Sequence, residues 1–251
     1  VDVDARRSHA PPAFDPLSLD APLLVVAPHP DDESLGCGGL IALWAAAARP
    51  LRVLVVTDGA ASHPGSSAWP PARLAARRSA EVRDALAALG VAGDAIIQWN
   101  LPDGRVPRRG QAGFANLVER GAVLLREARV RTLVVPWRRD PHCDHRAASA
   151  VFRSANERLT PTASVLEYPL WVRARKVRGA LPRAGEVDEV QIDIRPVLHN
   201  KHAAIDAHRS QRGLVVDDVA DGFSLEGNLR ALCEEPREIY WRARTPIAVP
   251  T

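Results

Sequence analysis

Two short polar turns, each closing an apolar run, constrain this chain more than any other feature. The first is Ala27-Pro28-His29-Pro30-Asp31-Asp32-Glu33, directly behind Pro22-Leu23-Leu24-Val25-Val26-Ala27. An unbroken apolar run of that length reads as a strand buried on both faces. An imidazole and several carboxylates therefore crowd the point where a strand ends and a helix has yet to begin. In α/β proteins that edge is where active sites are built. Packing gives no reason to gather like charges there, and a divalent cation does. The second turn repeats the design far downstream. Thr132-Leu133-Val134-Val135 runs into Pro136 and then Asp140-Pro141-His142-Cys143-Asp144-His145, which sets an aspartate between two histidines. Two strand-end loops of this kind can converge on one site across neighbouring strands.

The rest of the chain supports that geometry. Strand-like runs near 22–27, 52–57, 95–98, 131–135 and 163–168 alternate with helix-like runs near 38–48, 71–89, 113–128, 144–157 and 196–209. The helix from Pro71 carries Leu74, Val82, Leu86 and Leu89 at helical spacing and stops at Gly90. Alternating β and α segments predict an α/β fold, a Rossmann-like three-layer sandwich with a mostly parallel sheet. A single domain over 21–251 is expected, behind an irregular arm over 1–20. The basic, alternating stretch 172–190 reads as an edge strand or hairpin.

A net charge of +3 gives no strong reason to expect a nucleic-acid partner. No apolar run approaches the roughly 20 residues of a membrane span. The N-terminus shows no basic-then-apolar signal pattern. Cys37, Cys143 and Cys233 have no paired spacing, which fits a reducing, cytoplasmic compartment. The sequence leaves the oligomeric state open.

A hydrolytic metal site needs protein ligands of N or O type with a position left for water, a carboxylate to take a proton, and an acid for the leaving group. His29 and Asp32 can reach one ion from a tight loop, and His145 can add a bond from the opposite loop. Asp31 and His142 then remain free, and Asp144 can accept a hydrogen bond from His142, fixing its tautomer and favouring its protonated form. Cys143 is set aside as a ligand because the set is complete without it. Other residues read as structural: Glu33 as a helix cap, Asp144 also as an N-cap, Asp140 as a loop residue, and Tyr168 and Trp171 as core by default, with stacking on a sugar left open. His208 reads equally as a structural or a pocket histidine. The segment 61–67, with His63, reads as a flexible stretch able to form a lid. Gly36-Cys37-Gly38-Gly39 departs from the dinucleotide-binding pattern, and the acidic run before it would repel a pyrophosphate. These glycines are expected to let the first helix approach the metal loop.

Pro28-His29-Pro30-Asp31-Asp32-Glu33 together with Pro141-His142-Cys143-Asp144-His145 resembles the PIG-L/LmbE-like family of zinc-dependent N-acetylglucosaminyl deacetylases. Thr57-Asp58-Gly59, Arg78 with Glu81, Leu101-Pro102-Asp103-Gly104, and Lys201 with His208-Arg209-Ser210-Gln211 fit the same family. The resemblance implies an LmbE-like fold and zinc on His29, Asp32 and His145, a set that Fe2+ or Co2+ would also suit. It implies Asp31 as general base, and His142 held by Asp144 as oxyanion stabiliser or acid. Arg78 and Asp103 would be substrate contacts, and the substrate a small N-acetylated amino sugar. The commonest family form has Pro where Cys143 stands, a change expected to alter loop rigidity and not chemistry. An amidase acting on a thiol conjugate or another amide would use the same apparatus. A non-catalytic metal- or sugar-binding module is disfavoured by the full set of candidate catalytic side chains.

Overall fold

In the computed structural model, residues 14–175, 177–219, 222–225 and 227–244 are described. Much of the arm expected over 1–20 lies outside them. Its last part, from Phe14, holds a 3-10 turn over Pro16–Ser18 capped by Asp15.

The fully buried runs become central strands. β1 (Leu23–Ala27) and β4 (Thr132–Pro136) are buried at every residue and pair in parallel, Leu23 opposite Thr132 and Val25 opposite Val134. β2 (Leu51–Thr57) flanks β1 on the other side, followed by β3 (Ile96–Leu101). β5 (Ser164–Tyr168) lies parallel to β4. β6 (Val187–Asp193) and β7 (Arg237–Ala243) complete the seven-stranded sheet, ordered β3-β2-β1-β4-β5-β7-β6. The mostly parallel α/β sheet is as expected, and β7 pairs antiparallel with both β5 and β6. The order reverses between β1 and β4, and the carboxyl ends of strands at such a switch leave a crevice. Both polar turns of the sequence open into it.

Alternation along β1 sends Leu23, Val25 and Ala27 into one core and Leu24 and Val26 into the other. The first core is covered by α1 (Asp32–Ala46), α2 (Pro71–Ala88) and, later in the chain, α6 (Leu198–Ala207); the second by α3 (Phe114–Glu127) and α4 (Cys143–Asn156). Two shorter helices, α5 (Leu170–Arg175) and α7 (Gly227–Cys233), extend the first side. The stretch expected as an edge strand or hairpin over 172–190 is corrected in part. It opens as the end of α5, and only β6 begins within it: Leu170 and Ala174, one turn apart, pack into the first core, and Val172 packs on another side with Trp137 and Trp241.

α1 begins at Asp32, inside the acidic turn and earlier than its apolar pattern suggests. Asp32 and Glu33 thus occupy the first turn, where the N-terminal dipole favours carboxylates. The glycines of this helix do not serve the metal loop. A Cβ on Gly36 would meet the Tyr168 ring, and one on Gly39 would stand 2.3 Å from Ile194 Cγ2. Absent side chains here let the helix settle onto its neighbours. Glu238 on β7 locks the contact: it accepts from the Gly39 and Leu40 N–H groups, from Lys201 Nζ at 2.7 Å and from the Tyr240 hydroxyl. Breaking so buried a charged pair costs about 3–5 kcal/mol.

Gly39→Ala is expected to destabilise the fold by about 1–3 kcal/mol through overpacking. A urea-unfolding midpoint equal to that of the parent would contradict this close approach.

Candidate active site

The first loop is drawn tight by its own aspartate. Asp32 Oδ2 accepts the His29 backbone N–H at 2.9 Å and lies 3.0 Å from His29 Nδ1. The same oxygen lies 3.1 Å from Nε2 of His145, which enters from the first turn of α4. One carboxylate oxygen thus bridges imidazoles from the two loops, whose ring centroids are 5.3 Å apart. Burial opposes charge on all three groups. Even so, Asp32 is held well below the usual carboxylate range by His145 and His29. His29 and His145 are pushed above the ordinary histidine value by the carboxylates around them.

Each of these rings has carboxylates at its other nitrogen. His29 Nε2 lies 3.3 Å from Asp103 Oδ1 and 3.3 Å from Asp144 Oδ2. His145 Nδ1 lies 3.5 Å from Asp140 Oδ1. Asp140 was expected as a loop residue, yet it is fully buried. It also accepts the His142 N–H at 2.9 Å and the Trp171 N–H at 3.2 Å. Its signal in the sequence was its place just ahead of the His142 turn.

The donor set fits a divalent cation. Both ring nitrogens of His145 are buried and neither has a well-formed hydrogen bond, despite the short separations from Asp32 and Asp140. The ligating atoms of His29, His142 and His145 lie within 4.8 Å of one another. Imidazole and carboxylate donors suit zinc and its first-row neighbours.

Asp31 and His142 face the same cavity, of about 400 Å³, together with Asp32, Arg78, Asp103 and Gly104. Burial pushes the Asp31 carboxyl up to about 6, against the opposing charge of Arg78. Arg78, expected as a substrate contact, is itself buried. It donates to Gly59 O at 2.9 Å and Pro30 O at 2.7 Å, and its guanidinium lies 3.1 Å from Asp31 Oδ2. Gly59, at φ +67°, admits it: a Cβ there would stand 2.5 Å from Arg78 Nη1. Asp103 accepts the Ala61 N–H through its second oxygen. Burial would raise its carboxyl, but His29, Arg78 and that N–H hold it at about 2.

Asp144 does not accept from the His142 ring, as the sequence suggested. Its carboxylate takes the Gly104 N–H at 2.7 Å and the Val106 N–H at 3.1 Å, tying the loop after β3 to the site. The helix cap is His142, whose Nδ1 accepts the Asp144 N–H at 3.2 Å. A neutral His142 ring with Nδ1 as acceptor carries its proton on Nε2. Burial, with the charges of His29 and His145, lowers its pKa to about 4, the reverse of the expected shift.

The backing of the loop also departs from expectation. Glu33 accepts the Asp31 N–H at 3.0 Å and meets His208 Nε2 at 2.9 Å, so it serves as a buried brace joined to the late part of the chain. The segment read as a lid is strapped down: Asp218 accepts from the backbone of Ser67 and Ala68 and from the Ser66 hydroxyl. A larger groove of about 500 Å³ opens at the opposite end of the strands, beside Leu23, Leu51 and Gly90, and is lined by no histidine or cysteine.

The chain is similar to several known proteins. A curated relative from Rhodococcus erythropolis, 1D-myo-inositol 2-acetamido-2-deoxy-alpha-D-glucopyranoside deacetylase, is 27% identical over 82% of this chain and 86% of its own. Among solved structures, a triple mutant of a deacetylase from the teicoplanin biosynthetic pathway superposes with TM-score 0.69 at 19% identity, covering 91% of this chain and 100% of that one. GalB, the 4-carboxy-2-hydroxymuconate hydratase from Pseudomonas putida, superposes with TM-score 0.65 at 18% identity, covering 91% and 98%. At such identities the two structures share the fold alone. The model of the GlcNAc-PI de-N-acetylase family matches residues 24–156, which hold both polar turns, and the chain belongs to this PIG-L family.

Proposed function

We propose that this protein is a metal-dependent N-deacetylase that hydrolyses the acetamide of an N-acetylglucosaminyl-type substrate. The observation that carries the reading is Asp32 Oδ2 set between His29 Nδ1 and His145 Nε2, with Asp31 and His142 beside it in one cavity. The family, and the relative named as the deacetylase of an acetamido sugar, supply the substrate class.

His29, Asp32 and His145 would hold the ion. Zinc is the species proposed, and Fe2+ or Co2+ would suit the same donors. When bound, such an ion polarises the acetyl oxygen and lowers the pKa of water toward ~7. The remaining work belongs to the chain. Asp31, raised to about 6 and held in place by Arg78 and the Glu33 brace, takes a proton as water attacks the acetyl carbon. Its elevated pKa suits it to release that proton again. The neutral His142 ring, with hydrogen on Nε2, donates toward the oxygen on which negative charge develops. The C–N bond then breaks, and the proton on Asp31 passes to the departing nitrogen. Acetate and a free amine result. Arg78 acts here by holding Asp31. Asp103 lines the cavity and faces His29, so it joins the ring's support to any contact with the sugar. The free cysteines fit a reducing, cytoplasmic setting.

Asp31→Asn is expected to keep its metal and lose about 10²–10⁴-fold in turnover of an N-acetylglucosaminide. Unchanged acetate release would remove Asp31 from the base role. His145→Ala should purify without stoichiometric metal, and full occupancy by elemental analysis would refute that ligand. Asp140→Ala is expected to weaken metal affinity by about 10–100-fold, measured by competition with a chromogenic chelator. An unaltered affinity would show that His145 needs no support from Asp140.

A further inference from the structure

The base of the proposed reaction stands on an unusual piece of backbone. Asp31 lies at φ +157° and ψ −27°, outside the regions open to a residue with a Cβ. Among the described residues, the other non-glycines of positive φ are Ala48 at 50°, Asn100 at 53° and Arg129 at 50°. Those are values of the left-handed well, and Ala48 and Arg129 take them just past the ends of α1 and α3, an ordinary way to stop a helix. Asp31 has no such explanation. A residue held in so sparsely populated a conformation stays there only where its surroundings over-determine it.

The surroundings of Asp31 do so from both sides. Its N–H donates to His29 O at 3.0 Å and to Glu33 Oε2 at 3.0 Å. Its carbonyl accepts the Ser34 and Leu35 N–H groups, the first bonds of α1. Arg78 fixes the peptide before it through Pro30 O. Glu33 is in turn held by its other oxygen, which accepts the Ser34 hydroxyl at 2.8 Å and lies 2.9 Å from His208 Nε2. Glu33 and His208 are both buried, so the ring nitrogen serves as donor to the carboxylate. His208 arrives from the end of α6, 175 residues along the chain, and it does not line the cavity.

We infer that His208 is a positioning residue for the reaction: through Glu33 it holds the Asp31 backbone in a conformation that aims the carboxylate into the cavity and that the loop leaves when the brace is cut. The inference rests on the deacetylase reading for the role of Asp31 as base. The strained backbone and its brace stand apart from that role.

Two variants read the backbone alone. Asp31→Gly and Asp31→Ala both remove the carboxylate and its pair with Arg78, and they differ by the Cβ. At an ordinary position Ala is the more stable, because it restricts the unfolded chain. Here Asp31→Gly is expected to melt above Asp31→Ala by about 3–6 °C in the metal-loaded protein. Adding His208→Leu to each should erase that advantage, since the loop is then free to relax. A merely structural tie between α6 and α1 would lower both melting points and leave their difference in place. Should His208→Leu not fold, Glu33→Gln carries the same comparison, because its one amide oxygen cannot serve both the Asp31 N–H and His208. In turnover of an N-acetylglucosaminide, His208→Leu is expected to lose about 10–100-fold in kcat with KM and metal content kept. His208→Gln, whose amide can donate from the place of Nε2, should recover most of that loss. A glycine advantage absent from the start, or one that survives His208→Leu and Glu33→Gln intact, overturns the inference, as does a full kcat in His208→Leu. A glycine advantage that the brace variants erase, in a protein that releases no acetate, supports the brace and sinks the deacetylase reading.

Discussion

One oxygen of Asp32, shared between two imidazoles that arrive from different strands, is the contact around which the site is arranged. A buried carboxylate between buried rings is tolerable only if positive charge sits with it, as protons on the rings or as a cation among them. It also demands that two loops remote in sequence end side by side. The β1–β4 pairing at the reversal of strand order meets that demand. The fully buried runs Leu23–Ala27 and Thr132–Pro136 are therefore more than core. Their shared register sets how far His29 stands from His145.

The three histidines of the site are chemically alike and are made different by what occupies their second nitrogen. His29 faces two carboxylates there and His145 one, which orients the rings and raises their basicity. His142 faces a backbone N–H at the start of α4, next to two rings that repel a further proton. It is left neutral, a donor on one side and an acceptor on the other. Asp31 shows the converse: burial raises its carboxyl, and Arg78 keeps the rise moderate. Environments that push like groups apart in this way are how a site assigns separate roles to them.

Much of this was legible in the sequence for a physical reason. Strands buried on both faces leave unbroken apolar runs, and charge gathered at their ends has no packing explanation. The five parallel strands and the six residues of the two polar turns came from those signals, the long α2 helix from its helical spacing, and Arg78 and Asp103 rested on the family resemblance. What escaped depended on tertiary partners. β7 pairs antiparallel between β5 and β6, and α5 cuts a basic stretch that alternates like an edge strand. Asp144 was read as the acceptor for the His142 ring and as an N-cap, but it sits in the first turn of α4 and its partners are N–H groups of a loop some forty residues earlier. Asp140 looked like filler because nothing local shows that its oxygens serve His142, His145 and Trp171 at once.

The fold by itself does not choose a reaction, since at under 25% identity it superposes on both a deacetylase and a hydratase. The division of labour along this chain shows where the choice is made. His29, Asp31, Asp32, Arg78, Asp103, His142, Asp144 and His145 all lie within the segment matched by the family, 24–156. Trp171, Arg175, His208, Gln211 and Phe223 lie beyond it. The shared segment builds the ends of β1 and β4 and so holds the eight residues proposed for the reaction. The later segment supplies His208, which braces Glu33 behind the loop, and Trp171, Arg175 and Phe223, which line the same cavity. Asp140 joins the two, one oxygen on the His142 turn and the other on the first turn of α5. The cavity wall supplied by Trp171, Arg175 and Phe223 can then vary while His29, Asp31, Asp32, His142 and His145 stay where the central strands put them.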